Sequence, residues 1–382
     1  MSQRLQGFVI RKRRQELGWS QAGLCQGICA VSYLSKIEQG KAEGSPEVMG
    51  LLFQRLDIHW NDTPSFQKEA KIFLEACYDH LFSGEKLTSL AQALRERREQ
   101  YHNSPFFLDW VLLSGAAVWQ APEEVEEFLP AMDSRQRCLY LAMKGDFQTV
   151  LRESSQSLYL LQAGKQAYWR GEYGYAMSCL QRGADQAAIE GSLPVQMHCR
   201  VFLGNCYSSM NQLEQTREHY SAASRMARCL DAQEDLTAIA YNQATTELQL
   251  GLVEEALRHL LECPWNEALY FHKLAICYEQ MGQPDMARKA LEQAAAAPLG
   301  ELPCDPPQAR EIFTQMCDLV RFRLEDPDYL QSPEYGKALR LCIRNLEQVS
   351  VGFVRFHAVW LEEWYAANRQ YRLAYELVRK FS

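Results

Sequence analysis

The sequence predicts an all-α protein, a small N-terminal head of short helices followed by a long solenoid of helix pairs. Three observations lead there. From Phe66 onward the apolar residues keep a helical period, with no convincing strand alternation. The stretch Ser20–Gly40 reads as two short helices joined by a tight turn. Finally, glycine or asparagine recurs between paired apolar segments, at Gly171, Asn211, Gly251 and Gly282. Repetition of that kind marks stacked units, each too small to bury its own apolar face.

The elements follow in order. A first helix is expected from about Leu5 to Leu17, with Ile10 and Leu17 inward and Gly18 supplying the closing turn. Ser20 is a good N-cap for the second, where Leu24 and Ile28 share one side. Gly23 and Gly27 fall within it, at a cost of about 1 kcal/mol each relative to alanine. Val31 to Glu38 resumes the pattern with Leu34 and Ile37 inward. Ser32, Tyr33 and Lys36 are then left facing solvent. A helix of two turns does not stand alone in water, so neighbours must hold it. Ser45-Pro46 is an N-cap followed by proline at N1, opening a helix to about Leu56 with Val48, Leu52 and Leu56 inward. Asp57 to Pro64 breaks the period and reads as a linker. The expected organisation is a five-helix head over residues 1–60, a linker over 61–65 and a helical-repeat domain over 66–382.

Within that repeat domain, a small residue lies seven positions before each landmark: Gly164, Gly204, Ala244 and Ala275. Five positions after come Ala176, Thr216, Ala256 and Ala287, and nine after come Leu180, Tyr220, Leu260 and Leu291. Small residues let two antiparallel helices approach, and the bulky one fills the space beside them. The landmarks are spaced 40, 40 and 31 residues apart. Weaker copies occur around Gly145-Asp146-Phe147 and Asn368-Arg369-Gln370-Tyr371. Pro298–Pro307 reads as a loop.

Composition bounds the function. The chain has 382 residues, 47% hydrophobic and 23% charged, as expected of a folded protein of two or three domains. Its start is basic without an apolar core, so no signal peptide is expected. The most apolar run, Phe106–Trp119, is interrupted by Asp109 and too short to span a bilayer. A cytoplasmic protein with no membrane partner is the expectation. The net charge of −8 is uneven. Residues 1–44 hold seven basic groups against three acidic ones, +4, so the remainder carries −12. A basic head on an acidic body suits nucleic-acid binding by the head alone. Thirteen cysteines form no C-x-x-C pair and sit at apolar positions, where they act as small hydrophobes. The eight histidines lack H-x-x-x-H spacing, and there is no P-loop, no G-x-G-x-x-G after a strand and no G-x-S-x-G. Neither an enzyme, a metal site nor a cofactor is expected.

Ser20-Gln21 and Ser32-Tyr33-Leu34-Ser35-Lys36-Ile37-Glu38-Gln39-Gly40 resemble the two motifs of XRE/Cro-type helix-turn-helix domains, S/T-Q and S-x-x-S-[RK]-[IF]-E-x-G. The turn Ile28-Cys29-Ala30-Val31-Ser32 is a residue shorter than that family's common form, a spacing similar to the Gram-positive peptide-pheromone regulators, the RRNPP family and its PlcR-like branch. The resemblance implies that the second of the two short helices enters a DNA major groove. Ser32, Tyr33, Ser35 and Lys36 would lie nearest bases and phosphates, Gln21 beside them, and Arg11 and Lys41 on phosphates. It also implies a structural ion pair between Arg14 and Glu38.

The repeat positions resemble the tetratricopeptide consensus. The residue after each small one, which there faces the groove, is Lys165, Asn205, Thr245 or Ile276. Asn205-Cys206-Tyr207 and Tyr241-Asn242-Gln243-Ala244 are similar to N-I-Y and Y-N-x-A strings of PlcR-like proteins, whose asparagines hold the backbone of a signalling peptide. The implied peptide-binding residues are Asn205 and Asn242, joined through repeat geometry by Lys165, Tyr168, Ser208, Tyr241 and His272. The resulting expectation is a homodimeric, peptide-responsive transcriptional regulator reading a two-half-site operator. Two alternatives stay open: a repressor of the mobile-element type whose solenoid serves dimerisation or a protein partner, and a solenoid adaptor whose head has lost useful DNA affinity.

Overall fold

The computed structural model describes residues 2–85, 88–300, 306–349 and 351–381, and every regular element among them is helical. They form two compact units, residues 1–159 and 160–382. The first contains α1 (Ser2–Glu16), α2 (Gln21–Cys25), α3 (Val31–Glu38), α4 (Pro46–Leu56), α5 (Pro64–Ser83), α6 (Thr88–Glu96), α7 (Arg98–His102), α8 (Phe107–Ala116), a 3-10 segment at Glu123–Ala131, α9 (Ser134–Met143) and α10 (Phe147–Glu153). Four helices, not five, lie within residues 1–60. The fifth opens at Pro64, capped by the Thr63 hydroxyl.

Leu5, Ile10, Leu24, Leu34, Ile37, Leu52 and Leu56 are buried together as the core of the head. Gly7 lets α1 pass directly against α3: a Cβ there would lie 2.1 Å from the carbonyl oxygen of Ile37. Two local expectations change. Leu17 is 42% exposed, because α1 ends at Glu16 and Gly18 turns the chain. Gly27 is not in a helix interior. With φ +73° it forms the turn after the five-residue α2, where glycine is favoured, so the helix-interior cost falls on Gly23 alone.

The expected linker is itself bonded. Asp57, at φ 54°, closes α4, and the Asn61 N–H donates to the Asn103 carbonyl (2.8 Å). Phe8 of α1 packs against Phe107 (5.7 Å between centroids) and edge-on to Phe128 (4.8 Å). The residues expected as a separate head thus share a core with the helices that follow, in a unit running on to Tyr159.

The second unit takes up α11 (Ser157–Trp169) and continues through α12 (Tyr173–Glu190), α13 (Leu193–Ser209), α14 (Leu213–Cys229), α15 (Gln233–Gln249), α16 (Val253–Glu262), α17 (Ala268–Gln280), α18 (Pro284–Ala296), α19 (Pro306–Glu325), a short 3-10 turn at Tyr329–Gln331, α20 (Pro333–Leu346), α21 (Val351–Ala367) and α22 (Tyr371–Phe381). Gly171, Asn211, Gly251 and Gly282 all adopt positive φ, as do Gly145 and Arg369 at the weaker copies. They are the left-handed residues that stop one helix so the next can fold back. The small positions are where the pairs touch. A Cβ on Gly164 would lie 2.6 Å from Leu180, and one on Gly204 2.5 Å from the Tyr220 ring. Ala244, Ala275, Ala176, Thr216, Ala256 and Ala287 are wholly buried. Helices α15–α22 share one core, centred on residues such as Leu274, Phe313, Leu339, Trp360 and Trp364. The loop expected at Pro298–Pro307 begins as irregular chain after Ala296; residues 301–305 lie outside the described residues, and Pro306 and Pro307 open α19 rather than belonging to the loop. Among the described residues no helix is long and apolar enough to cross a membrane.

Candidate functional site

In the head, the Ser20 hydroxyl caps α2 by accepting from the Gly23 N–H (3.0 Å). The carboxylate of Glu38, at the end of α3, is only 4% exposed. Arg14 of α1 meets it with two parallel bonds, Nε to Oε1 (2.7 Å) and a terminal nitrogen to Oε2 (2.9 Å), and the Gln21 amide adds a third (2.8 Å). The hydrogen bond to Glu38 raises the Arg14 pKa above its ordinary value. One buried carboxylate therefore ties α1, α2 and α3 together. This leaves the outer side of α3 open: Val31, Ser32 and Lys36 are exposed, as is Lys41 beyond it. Tyr33 and Ser35 are half-buried beside them, the Tyr33 hydroxyl donating to the Glu43 carbonyl (2.8 Å) and the Ser35 hydroxyl accepting from Gln39 (3.1 Å).

In the second unit, α11, α13, α15, α17, α21 and α22 line an open cavity of about 790 Å³, within the range of sites for small organic ligands. Its polar wall comes from two helices. On α13 it is Asn205, Ser208 and Ser209; on α15 it is Asn242, Thr245, Thr246 and Gln249. Spacings of three and four residues keep each set on one helix face. Asn205 is pre-oriented, its Oδ1 accepting from the Tyr220 hydroxyl (2.7 Å), which leaves its amide N–H groups for another partner. The Ser208 and Thr246 hydroxyls join the two helices at 2.7 Å. Aromatic walls come from Tyr168, Trp169, Phe202, Tyr241, Phe353 and Phe356.

The same cavity holds charge. The Lys165 ammonium lies 5.4 Å from the Phe202 centroid, and burial lowers its pKa. His198 stands 3.9 Å from Asp235; burial lowers its pKa, with the Asp235 charge opposing. Burial pushes the Tyr168 phenol up to about 12. Lys273 is completely buried, its ammonium 3.1 Å from the Phe356 centroid.

Residues 10–62 match the helix-turn-helix family HTH_3. The N-terminal segment is a helix-turn-helix domain of the XRE type. Comparison with curated proteins returned no match. Among solved structures, the chain is similar to Bacillus thuringiensis PlcR in complex with the peptide PapR7 and DNA (14% identity, covering 85% of this chain and 100% of that one, TM-score 0.28). It is similar also to the apo form of the competence regulator ComR from Streptococcus vestibularis (12%, 78% and 99%, 0.34) and to ComR from Streptococcus suis (12%, 76% and 94%, 0.27).

Within the helix-turn-helix, Ser32, Tyr33, Ser35 and Lys36 run along α3, with Lys41 just past it. Two other candidates are engaged elsewhere. Gln21 turns inward to Glu38, and Arg11 is ion-paired with Glu127, as Lys12 is with Glu124, both carboxylates of the 3-10 segment. In the body, Lys165, Tyr168, Asn205, Ser208, Tyr241 and Asn242 all line the cavity. His272 does not. It is a core residue, wholly buried, with Nε2 at 3.3 Å from the Met316 carbonyl of α19. One repeat further along, the equivalent face of α17 is covered by α19 and α21. Sequence reasoning missed Lys273, Arg355, Phe356 and the rest of the wall from α21 and α22. The only signal was Lys273 itself, a lysine beside His272 in the otherwise apolar string ALYFHKLAICY.

Proposed function

We propose that this protein is a cytoplasmic transcriptional regulator that reads double-stranded DNA with α3 and binds a short signalling peptide in the cavity of its second unit. The observation that supports the peptide is the polar wall. Asn205 and Asn242 occupy consecutive helix pairs and line one cavity. Amide side chains both donate and accept, so they match the N–H and C=O groups that an extended backbone loses to water on burial. The aromatic residues around them suit apolar side chains.

DNA binding is assigned to the outer side of α3, with Ser32, Tyr33, Ser35 and Lys36 nearest the groove and Lys41 on phosphate. One such helix covers a single half-site, so a two-fold dimer on two half-sites is part of the reading. Peptide and operator are then linked: whatever factor the peptide changes operator affinity by, the operator changes peptide affinity by the same factor. Calorimetric titration of peptides recovered from spent culture medium, with and without operator DNA, tests this. Asn205→Ala combined with Asn242→Ala should abolish peptide binding while leaving helical content and basal DNA binding intact. Equal peptide affinity in wild type and double variant would move the peptide away from this wall.

A further inference from the structure

Lys273 is the anomaly of the cavity. It projects from α17, lines the space, and is wholly buried. Its ammonium nitrogen has no hydrogen-bond partner among the described residues. The face of Phe356 lies over it, which suits a cation but supplies no acceptor. Its titratable neighbours are His272 and Cys277 on its own helix and His357 on α21, none of them a carboxylate. Glu247 of α15 is bonded to His259 (2.7 Å). A second cation shows the same shortfall. Arg355 of α21 lines the cavity and donates to the Ser209 carbonyl, yet its buried Nε has no partner among the described residues. The carboxylates of the lining are Asp235, beside His198, and the exposed Glu362.

Buried N–H groups without acceptors cost free energy, and a protein retains them where something else completes them. We infer that the ligand of this cavity is acidic, and that its carboxylate is received by Lys273 and Arg355. The inference rests on the ligand-cavity reading above and adds the ligand's chemical class. Neutral side chains of the same shape would fill those positions at lower cost if the cavity took only apolar or uncharged groups. Burial lowers the Lys273 pKa well below that of an ordinary lysine, and an anion beside the amine would favour its charged form.

The probes are two random-sequence pentapeptide libraries, one of free acids and one of C-terminal amides, offered to the full-length protein and read by mass spectrometry of what is retained. Retention at least tenfold higher from the acid library assigns the group to the peptide C-terminus. Equal retention with strong enrichment of Asp or Glu assigns it to a side chain. Either result supports the inference. Equal retention without acidic enrichment overturns it and leaves the peptide reading standing; no retention from either library overturns both. Lys273→Met, which keeps the side-chain length without the amine, should remove the acid preference. Arg355→Gln should weaken it. A Lys273→Met protein that keeps wild-type helicity and still prefers acids equally would also overturn the assignment.

Discussion

Two buried charged groups in this molecule are treated in opposite ways. Glu38 of the helix-turn-helix is met by Arg14 and Gln21 through three hydrogen bonds of 2.7–2.9 Å. Lys273 of the second unit has an aromatic face over it and no acceptor among the described residues. Both are removed from water, yet only Glu38 has had its water replaced. A buried charge that is fully bonded fixes the arrangement of its neighbours; here it sets α3 against α1 and α2. A buried amine with no acceptor among the described residues, beside a cavity, stabilises nothing by its presence, and its chemistry is directed at what enters that cavity.

The comparison can be broken most directly by removing one partner in each place. Arg14→Ala strands the Glu38 carboxylate, and the loss should be the largest here, about 3–5 kcal/mol of stability in the first unit. Lys273→Met should cost nothing, or raise the stability of the second unit, since it deletes an unsatisfied group rather than a bond. Calorimetric melting of the two variants checks both; equal destabilisation would erase the distinction.

A second, smaller effect is the acid response of the core around Lys273. Burial, reinforced by the Lys273 charge, lowers the pKa of His357 to about 3, and His272 is shifted in the same direction. Between an unfolded-state value of about 6.5 and that folded value, the unfolded chain binds more protons than the native one. Stability therefore rises with pH across this window and is lost as pH falls through it. Chemical denaturation at pH 7, 5 and 4 should show the decline, and His357→Phe should flatten it. A decline of the same slope in the variant would assign the acid sensitivity to other groups.

The smallest expected effects concern charges at the surface of the helix-turn-helix. Lys36→Ala should reduce the salt dependence of operator binding by about one unit of slope and weaken all sequences alike. Arg11 is already paired to Glu127 on the same unit, so Arg11→Ala should change stability by about 0–1 kcal/mol. An unchanged salt slope in Lys36→Ala would remove that lysine from the DNA-facing side.

How much of this was legible differs by region. The helix-turn-helix was readable because its determinants are local. Ser20 caps the helix it precedes, and Arg14 and Glu38 belong to a motif only 25 residues long. The repeat was readable as well, since the left-handed residues Gly171, Asn211, Gly251 and Gly282 punctuate the chain at each return. Reading these turns placed Lys165, Asn205 and Ser208 on one wall, because helical pitch sets Asn205 and Ser208 on one face of α13 and the repeat brings the matching face of α11, with Lys165, beside it. The same extrapolation failed at His272, where the regular stacking is interrupted by α19 and α21 packing over α17.

The sequence by itself therefore determined the helices, their turns, the buried ion pair of the head and the polar wall of the cavity. The helices and their turns depend on residues within one or two turns and the polar wall on a repeat that translates along the chain; the pair of Arg14 and Glu38, 24 residues apart, was implied by resemblance to a known motif. Only the tertiary structure decided what closes the cavity. Lys273 and Phe356 are more than eighty residues apart in the chain, and no periodicity relates them. They meet because the apolar faces of α17 and α21 are buried in the same core, and burial is not directional along the sequence. The packing that brought α21 there also removed Lys273 from water and left its amine without a hydrogen-bond partner among the described residues.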